Sequence, residues 1–144
     1  MLTLLKYLWT LPNTLVGCSI GILGLLTGGR VQRHGTVLEF HGGFVSWFLS
    51  HLPNGMSVLA MTWGYSILGR NQDALEITRA HELVHVEQYG RWGPFFGPAY
   101  LFFSWRVHRR GGDAYRENPF EVEAYARAPV WPKDDPRSVG PIDT

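Results

Sequence analysis

The chain has 144 residues, the size of one domain, and such a length buries roughly 70% of its unfolded surface without disulfide help. Its single cysteine, Cys18, excludes an intrachain disulfide and a cysteine-built zinc knuckle. A net charge of +1 argues against a nucleic-acid partner, while 17% charged and 14% aromatic residues imply that some apolar surface faces something other than water.

The N-terminal stretch MLTLLKYLWTLPNTLVGCSIGILGLLTGGR is strongly apolar, interrupted by Lys6 and by Pro12-Asn13. Its unbroken part, Leu15 to Leu26, is about half the ~20 residues a helix needs to cross a bilayer. A secretory signal fits poorly: one lysine makes the basic region, and no small-residue cleavage site follows the apolar run. Two arrangements remain for residues 1–29. One is a helical hairpin turning at Pro12-Asn13, membrane-associated or packed. The other is a single tilted span kinked at the proline. If the segment spans, Arg30 and Arg33 favour a cytoplasmic C-terminal side.

Residues 30–129 read as the folded domain. His34-Gly35 suits a two-residue turn between alternating strands, Val31 to Arg33 and Thr36 to Phe40. Gly42-Gly43 and Pro53-Asn54-Gly55 bracket a short apolar helix or strand. MSVLAMTWGYSILG reads as one or two strands interrupted at Gly64, and Gly69-Arg70-Asn71 as a turn. From Asp73 or Ala74 to about Tyr89 the apolar residues recur near the helical period, with Gly90 as the C-terminal cap.

That helix carries HELVHVEQYGRW, residues 81–92. On a helix, residues four apart differ by only about 40° in azimuth, so His81 and His85 project from one face. They can hold one ion through imidazole nitrogens about 2 Å from it. Glu82 lies about 100° round from His81, beside the ion rather than on it. There it can collect a proton from metal-activated water, the combination of Lewis acid and base that a zinc hydrolase needs. The competing reading is an ordinary helix whose histidines are satisfied by neighbouring groups.

Beyond Gly90, RWGPFFGPAYLFFSWRVHRR has two Gly-Pro steps and an aromatic helix from about Ala99 to Arg109. Its Trp and Tyr side chains suit a headgroup region, and Arg106, Arg109 and Arg110 suit anionic lipid. With the N-terminal segment it could dip into one leaflet; alternatively, both are core. ENPFEVEAYARAP follows as a short helix with Asn118 at the N-cap, Pro119 at N1 and Pro129 at the far end. Residues 130–144 are Pro- and Asp-rich and read as a flexible tail.

A catalytic zinc wants three protein ligands and an open position. The long metzincin motif places a third His six residues after the second, where this chain has Arg91. His108 sits in an arginine-rich stretch that reads as solvated. The later helix offers Glu121 and Glu123, which point to different faces. Asn118 and Glu121 also have the spacing of a capping box, in which Glu121 reaches back to the backbone and leaves Glu123, or neither, as ligand.

HELVH with a downstream EVEAY resembles the gluzincins, zinc metallopeptidases with two His from one helix and a Glu from a second. In the membrane-embedded prenyl-protein proteases and their bacterial heat-shock relatives, the second helix reads Glu-x-x-Ala-Asp. That resemblance places Glu121 at the ligand position, matches Ala124 and puts Tyr125 where the Asp stands. HELVHVEQ is also similar to the metallopeptidase-like core domain of toxin and contractile-injection proteins. The likeness covers Thr78 to Ala126. It implies Zn²⁺ held by His81, His85 and Glu121, with Glu82 as the catalytic base. It also implies a peptide or protein substrate lying along a strand edge within MTWGYSILG. With the Asp absent, Tyr125, Asn118 or Glu123 would have to orient an imidazole. Tyr115, His108 and Arg116 are candidates to stabilise the developing oxyanion.

The expectation is therefore a small α+β, zincin-like domain: a short antiparallel sheet, an HExxH helix and a second Glu-bearing helix after an apolar segment. It would be a membrane-associated zinc metallopeptidase with a peptide substrate and lipid contact. The alternatives are a non-catalytic zincin-like binding module and a metal-free membrane adaptor.

Overall fold

The structure, a computed structural model, describes residues 2–52 and 58–130. The Pro53-Asn54-Gly55 breaker and the tail from 131 onward lie outside the described residues. In chain order the elements are α1 (Leu2–Leu26), β1 (Arg30–His34), β2 (Val37–His41), α2 (Gly43–Ser50), β3 (Ala60–Trp63) and β4 (Ser66–Gly69). Then come α3 (Gln72–Trp92), a 3-10 turn at Gly93–Phe95, α4 (Phe96–Arg109) and α5 (Pro119–Arg127). The fold is α+β, with one four-stranded sheet in the order β1-β2-β4-β3.

The sheet is mixed, where an antiparallel one is expected from the sequence. β1–β2 and β3–β4 are antiparallel hairpins, but β2 and β4 run parallel. Gly35 and Gly64 take positive φ in the two turns, 58° and 62°, the left-handed conformation that tight hairpins need. Turn residues specify each hairpin, not how two hairpins dock. After β2 the chain runs through α2 before β3 begins, and β4 then pairs alongside β2.

Strand alternation sorts the side chains onto two faces. Val37 and Ile67 point one way and pack with Leu75 and Val86 of α3. Phe40 and Leu68 point the other way and pack with Val45 and Leu49 of α2, with Cys18 and Ile20 of α1 against them. Layers therefore stack as α1 and α2, then the sheet, then α3. On the far side of α3, Tyr89 packs with Phe96 of α4 and Phe120 of α5.

The first helix runs unbroken through Pro12, not as a hairpin. Proline removes one helical hydrogen bond and disfavours the preceding turn, but packing on both sides of it holds the helix. Asn13 Nδ2 donates to the Gly93 carbonyl at 3.1 Å, and Thr14 Oγ1 accepts from the Tyr65 amide at 3.0 Å. Further along, a stripe of glycines lies flush on the sheet layer. A Cβ on Gly17 would sit 1.9 Å from Ser66 Oγ, and one on Gly21 would sit 2.4 Å from the Phe40 ring.

The third helix also runs further than its sequence suggests. It passes through Gly90 and stops at Gly93, the residue that takes the positive φ, 54°. The fourth starts at Phe96 rather than Ala99.

One buried ion pair ties sheet to helix. The Glu39 side chain is fully buried and accepts from Arg79 Nε at 2.7 Å and Arg79 Nη2 at 3.0 Å. Burial would raise the Glu39 pKa, but the bonds from Arg79 and Gln32 outweigh it and hold it below the ordinary value. A depressed carboxylate pKa contributes stability above the unfolded value and loses it as pH falls through the folded one. Arg79→Met strands that carboxylate and is expected to cost about 3 kcal/mol. Urea titrations should show the deficit near neutrality, shrinking as pH falls below 4.5. Gly17→Leu is expected to cost at least ~1–3 kcal/mol by overpacking, read as a lowered thermal midpoint.

Candidate metal centre

The centre is assembled where α3 and α5 meet. His81 and His85 sit one turn apart on the α3 face turned away from the sheet, and Glu121 comes from the first turn of α5. Their ligand atoms all lie within 4.8 Å of one another. His81 Nε2 is 3.2 Å from Glu121 Oε2 and 3.2 Å from His85 Nε2. His85 Nε2 is 3.4 Å from Glu121 Oε1. Two imidazole Nε2 atoms and a carboxylate thus converge on one point.

The other ring nitrogens are engaged. His85 Nδ1 donates to Gln88 Oε1 at 2.8 Å, and His81 Nδ1 to the Ala128 carbonyl at 3.3 Å. A proton held on each Nδ1 commits Nε2 of both rings to the cluster, where it hydrogen-bonds Glu121 and would ligate an ion once its proton is displaced. Gln88 is itself fully buried. Its Nε2 donates to the Phe120 carbonyl at 2.9 Å and to Glu123 Oε2 at 3.0 Å, so one amide both orients His85 and clamps α5 onto α3.

Glu121 reaches the centre because it does not cap its own helix. Asn118 is the N-cap, accepting from the Phe120 amide at 3.0 Å, but its own amide donates to the Tyr115 carbonyl at 3.1 Å. That frees the Glu121 carboxylate from the capping-box role. Asn118 Nδ2 then donates to the Tyr100 carbonyl at 3.0 Å and to Ser104 Oγ at 2.8 Å, fastening α5 to α4. Tyr100 in turn donates its hydroxyl to Glu121 Oε1 at 2.8 Å. Glu123 points elsewhere, into ion pairs with Arg91 at 2.6 Å and Arg127 at 3.5 Å.

Glu82 stands beside the cluster and is not a member of it. Its carboxylate faces the sheet edge, where Thr62 Oγ1 of β3 donates to Glu82 Oε2 at 2.6 Å. β3 is the edge strand of the sheet within MTWGYSILG, and β4 is central.

Electrostatics in this pocket favour positive charge. Burial alone would lower the His85 pKa, but the bond to Glu121 and the charges of Glu82 and Glu121 push it up to about 9. Burial would raise Glu121, yet bonds from His81, His85 and Tyr100 hold it at about 2. Burial, reinforced by the Glu121 charge, pushes the Tyr100 and Tyr115 phenols up, so both remain protonated donors at neutral pH. Two nitrogen donors and one carboxylate, with both Nδ1 atoms already occupied, are a chemically fitting donor set for a divalent ion.

The other candidates fall in different places. His108 is exposed near the end of α4 and outside the cluster, and Arg116 is exposed. Tyr115 comes closer, its hydroxyl 3.3 Å from that of Tyr125. Of the three side chains suggested as imidazole orienters, none hydrogen-bonds a ring. Tyr125 lies against the His81 ring with centroids 4.4 Å apart, Asn118 fastens α5 to α4, and Glu123 acts one step removed through Gln88. Gln88 lies in the quoted HELVHVEQ run, but its role, like those of Thr62 and Tyr100, carries no motif. Each depends on contacts between elements.

No protein-family model, curated protein or solved structure matches this chain.

Glu121→Gln is expected to abolish stoichiometric metal binding and Glu123→Gln to retain it, read by elemental analysis of protein offered zinc and freed of excess. Gln88→Leu is expected to weaken zinc affinity about 10–100-fold, measured by competition with a chromogenic chelator.

Proposed function

We propose that the chain is a zinc-dependent hydrolase, a gluzincin-like metallopeptidase, working at a membrane surface. The observation that carries this reading is the placement of Glu82: a buried carboxylate beside the His81, His85 and Glu121 cluster, anchored by Thr62 but not part of the cluster. A purely structural zinc site takes four protein ligands and has no use for such a base, whereas a catalytic one takes three and keeps a position open. The resemblance of HELVH and EVEAY to gluzincins points the same way.

His81, His85 and Glu121 would hold the ion, and a His/His/Glu set suits zinc best among common divalent ions. A zinc ion so held supplies Lewis acidity, lowering the pKa of water and polarising a carbonyl. Glu82 takes the proton of the attacking water and hands it to the leaving amine. Thr62 fixes the Glu82 carboxylate so that this transfer needs no search. Gln88 and the Ala128 carbonyl keep both imidazoles in the ligating tautomer. Tyr100 holds Glu121 in place, and Tyr115 or Tyr125 is positioned to donate a phenolic hydrogen to a developing oxyanion.

A second reading, a non-catalytic zincin-like metal-binding module, is favoured by one observation. His81, Glu82, His85 and Glu121 are 3%, 5%, 7% and 3% exposed, so a substrate must displace cover to reach them. Tyr125, about a third exposed and lying on His81, is the side chain best placed to move. Membrane association is supported by α1, the one helix among the described residues long and apolar enough to cross a membrane.

Glu82→Gln separates the two readings. A hydrolase is expected to keep its zinc and lose about 10²–10⁴-fold in peptide turnover. A binding module would keep its zinc and show no turnover in the parent protein either.

A further inference from the structure

We infer that α1 is a membrane anchor lying in the plane of one leaflet rather than across the bilayer. The occupant of its outer face is lipid. The inference rests on the membrane reading above and adds the topology.

By length and composition α1 qualifies as a span: its 25 residues make a helix about 37 Å long. Its packing excludes that role. One face is the stripe Thr10, Gly17, Gly21 and Gly24, all buried. Gly17 touches Ser66 and Trp63, Gly21 touches Phe40, and Gly24 touches Val45. Near its start, Trp9 reaches Gly93, and just past its end Thr27 Oγ1 accepts from the Phe44 amide at 2.6 Å. The helix is thus fused along its length to the sheet and α2.

Were it to cross the bilayer, the sheet would cross with it. The open edges of β1 and β3 would then meet hydrocarbon, which backbone polar groups do not tolerate. So would Arg30, Arg33 and His34, exposed on β1. Lying flat, the helix exposes none of these to hydrocarbon.

The outer face has the character of a lipid contact. Leu4, Leu8, Leu15, Ile22 and Leu26 are 63%, 58%, 57%, 53% and 78% exposed, far more apolar side chain than water tolerates as a patch. The patch continues onto the next element, since Trp9 contacts Phe95 with centroids 6.0 Å apart. Phe95, Phe102 and Trp105 carry it along α4, all more than half exposed. Cations stand at both ends, the arrangement that meets anionic headgroups: Arg30 and Arg33 beyond α1, and Arg106, Arg109 and Arg110 at the end of α4, all exposed. Arg109 also lies over the Trp105 ring at 5.6 Å.

A functional consequence follows from the sheet's two faces. Gly17 and Gly21 meet one face, and Thr62 reaches Glu82 from the other. The sheet therefore stands between α1 and the metal centre. α4 carries Tyr100 of the centre as well as Phe102 and Trp105 of the patch, so an in-plane anchor sets the centre close to the interface and favours polypeptide segments near the lipid surface.

Two measurements on the full chain test this. First, partition onto phosphatidylcholine vesicles, with and without phosphatidylglycerol, is compared for the parent, Leu8→Glu and Leu15→Glu. Binding is expected, stronger with the anionic lipid, and each substitution should weaken it about tenfold or more. Far-ultraviolet circular dichroism reports whether a variant has folded, and quenching of parent tryptophan fluorescence by brominated lipid reads the same contact without a variant. Second, in sealed membrane vesicles from expressing cells, Thr3→Cys and Arg33→Cys, each in a Cys18→Ala background, are probed with an impermeant maleimide. Labelling from the same side is expected. Labelling from opposite sides overturns the in-plane anchor and leaves the membrane reading standing. No vesicle binding and no quenching overturns both, and a dimer in solution that Leu8→Glu dissociates would then name a second copy as the occupant.

Discussion

Everything at the centre depends on a carboxylate that is buried between two helices. Glu121 is 3% exposed, and an ionised carboxyl there is tolerable only with close hydrogen-bonding or cationic partners. His81, His85 and Tyr100 provide them. That need fixes the approach of α5 to α3 and brings α4 in behind it. Asn118 and Gln88 are the two amides that make the approach rigid, each spending one end within its own helix region and the other across a helix boundary. The same geometry that satisfies Glu121 with protons would satisfy a divalent ion, so the architecture of the pocket and its proposed chemistry have one cause.

The second coupling runs through the sheet. Thr62 lies on the edge strand, and strand alternation turns its hydroxyl toward α3 while its neighbours Met61 and Trp63 pack toward α1 and α2. A single strand thereby ties the proposed base to the layer that bears the apolar outer face. Glu39 of β2 and Arg79 repeat the tie two strands inward. Helix α3 is held to the sheet by these polar pins and by Leu75 and Val86, and presents its histidines on the side left free.

The apolar N-terminal helix shows why hydropathy alone does not decide topology. Its composition suits a bilayer crossing, but its glycine stripe brings the sheet against it more closely than any side chain would allow. An element fused to a sheet with open edges shares the fate of those edges. On the in-plane reading proposed above, that constraint outweighs the length of the helix.

Much of this was legible in the residues themselves. The spacing of His81, Glu82 and His85 on a helix, the hairpin turn at Gly35, the strand break at Gly64 and the Asn118-Pro119 start of α5 are local matters of period, φ and capping, which neighbouring residues determine. Contacts distant in sequence were not legible. Whether Glu121 caps its helix or leaves it, that Gln88 and Ala128 orient the imidazoles, that β2 and β4 run parallel, and that α1 passes straight through Pro12 were decided by packing between elements. A proline or a capping spacing states a local preference of a few kcal/mol at most. Burial across many residues overrides it, and only the tertiary structure says which surfaces are buried.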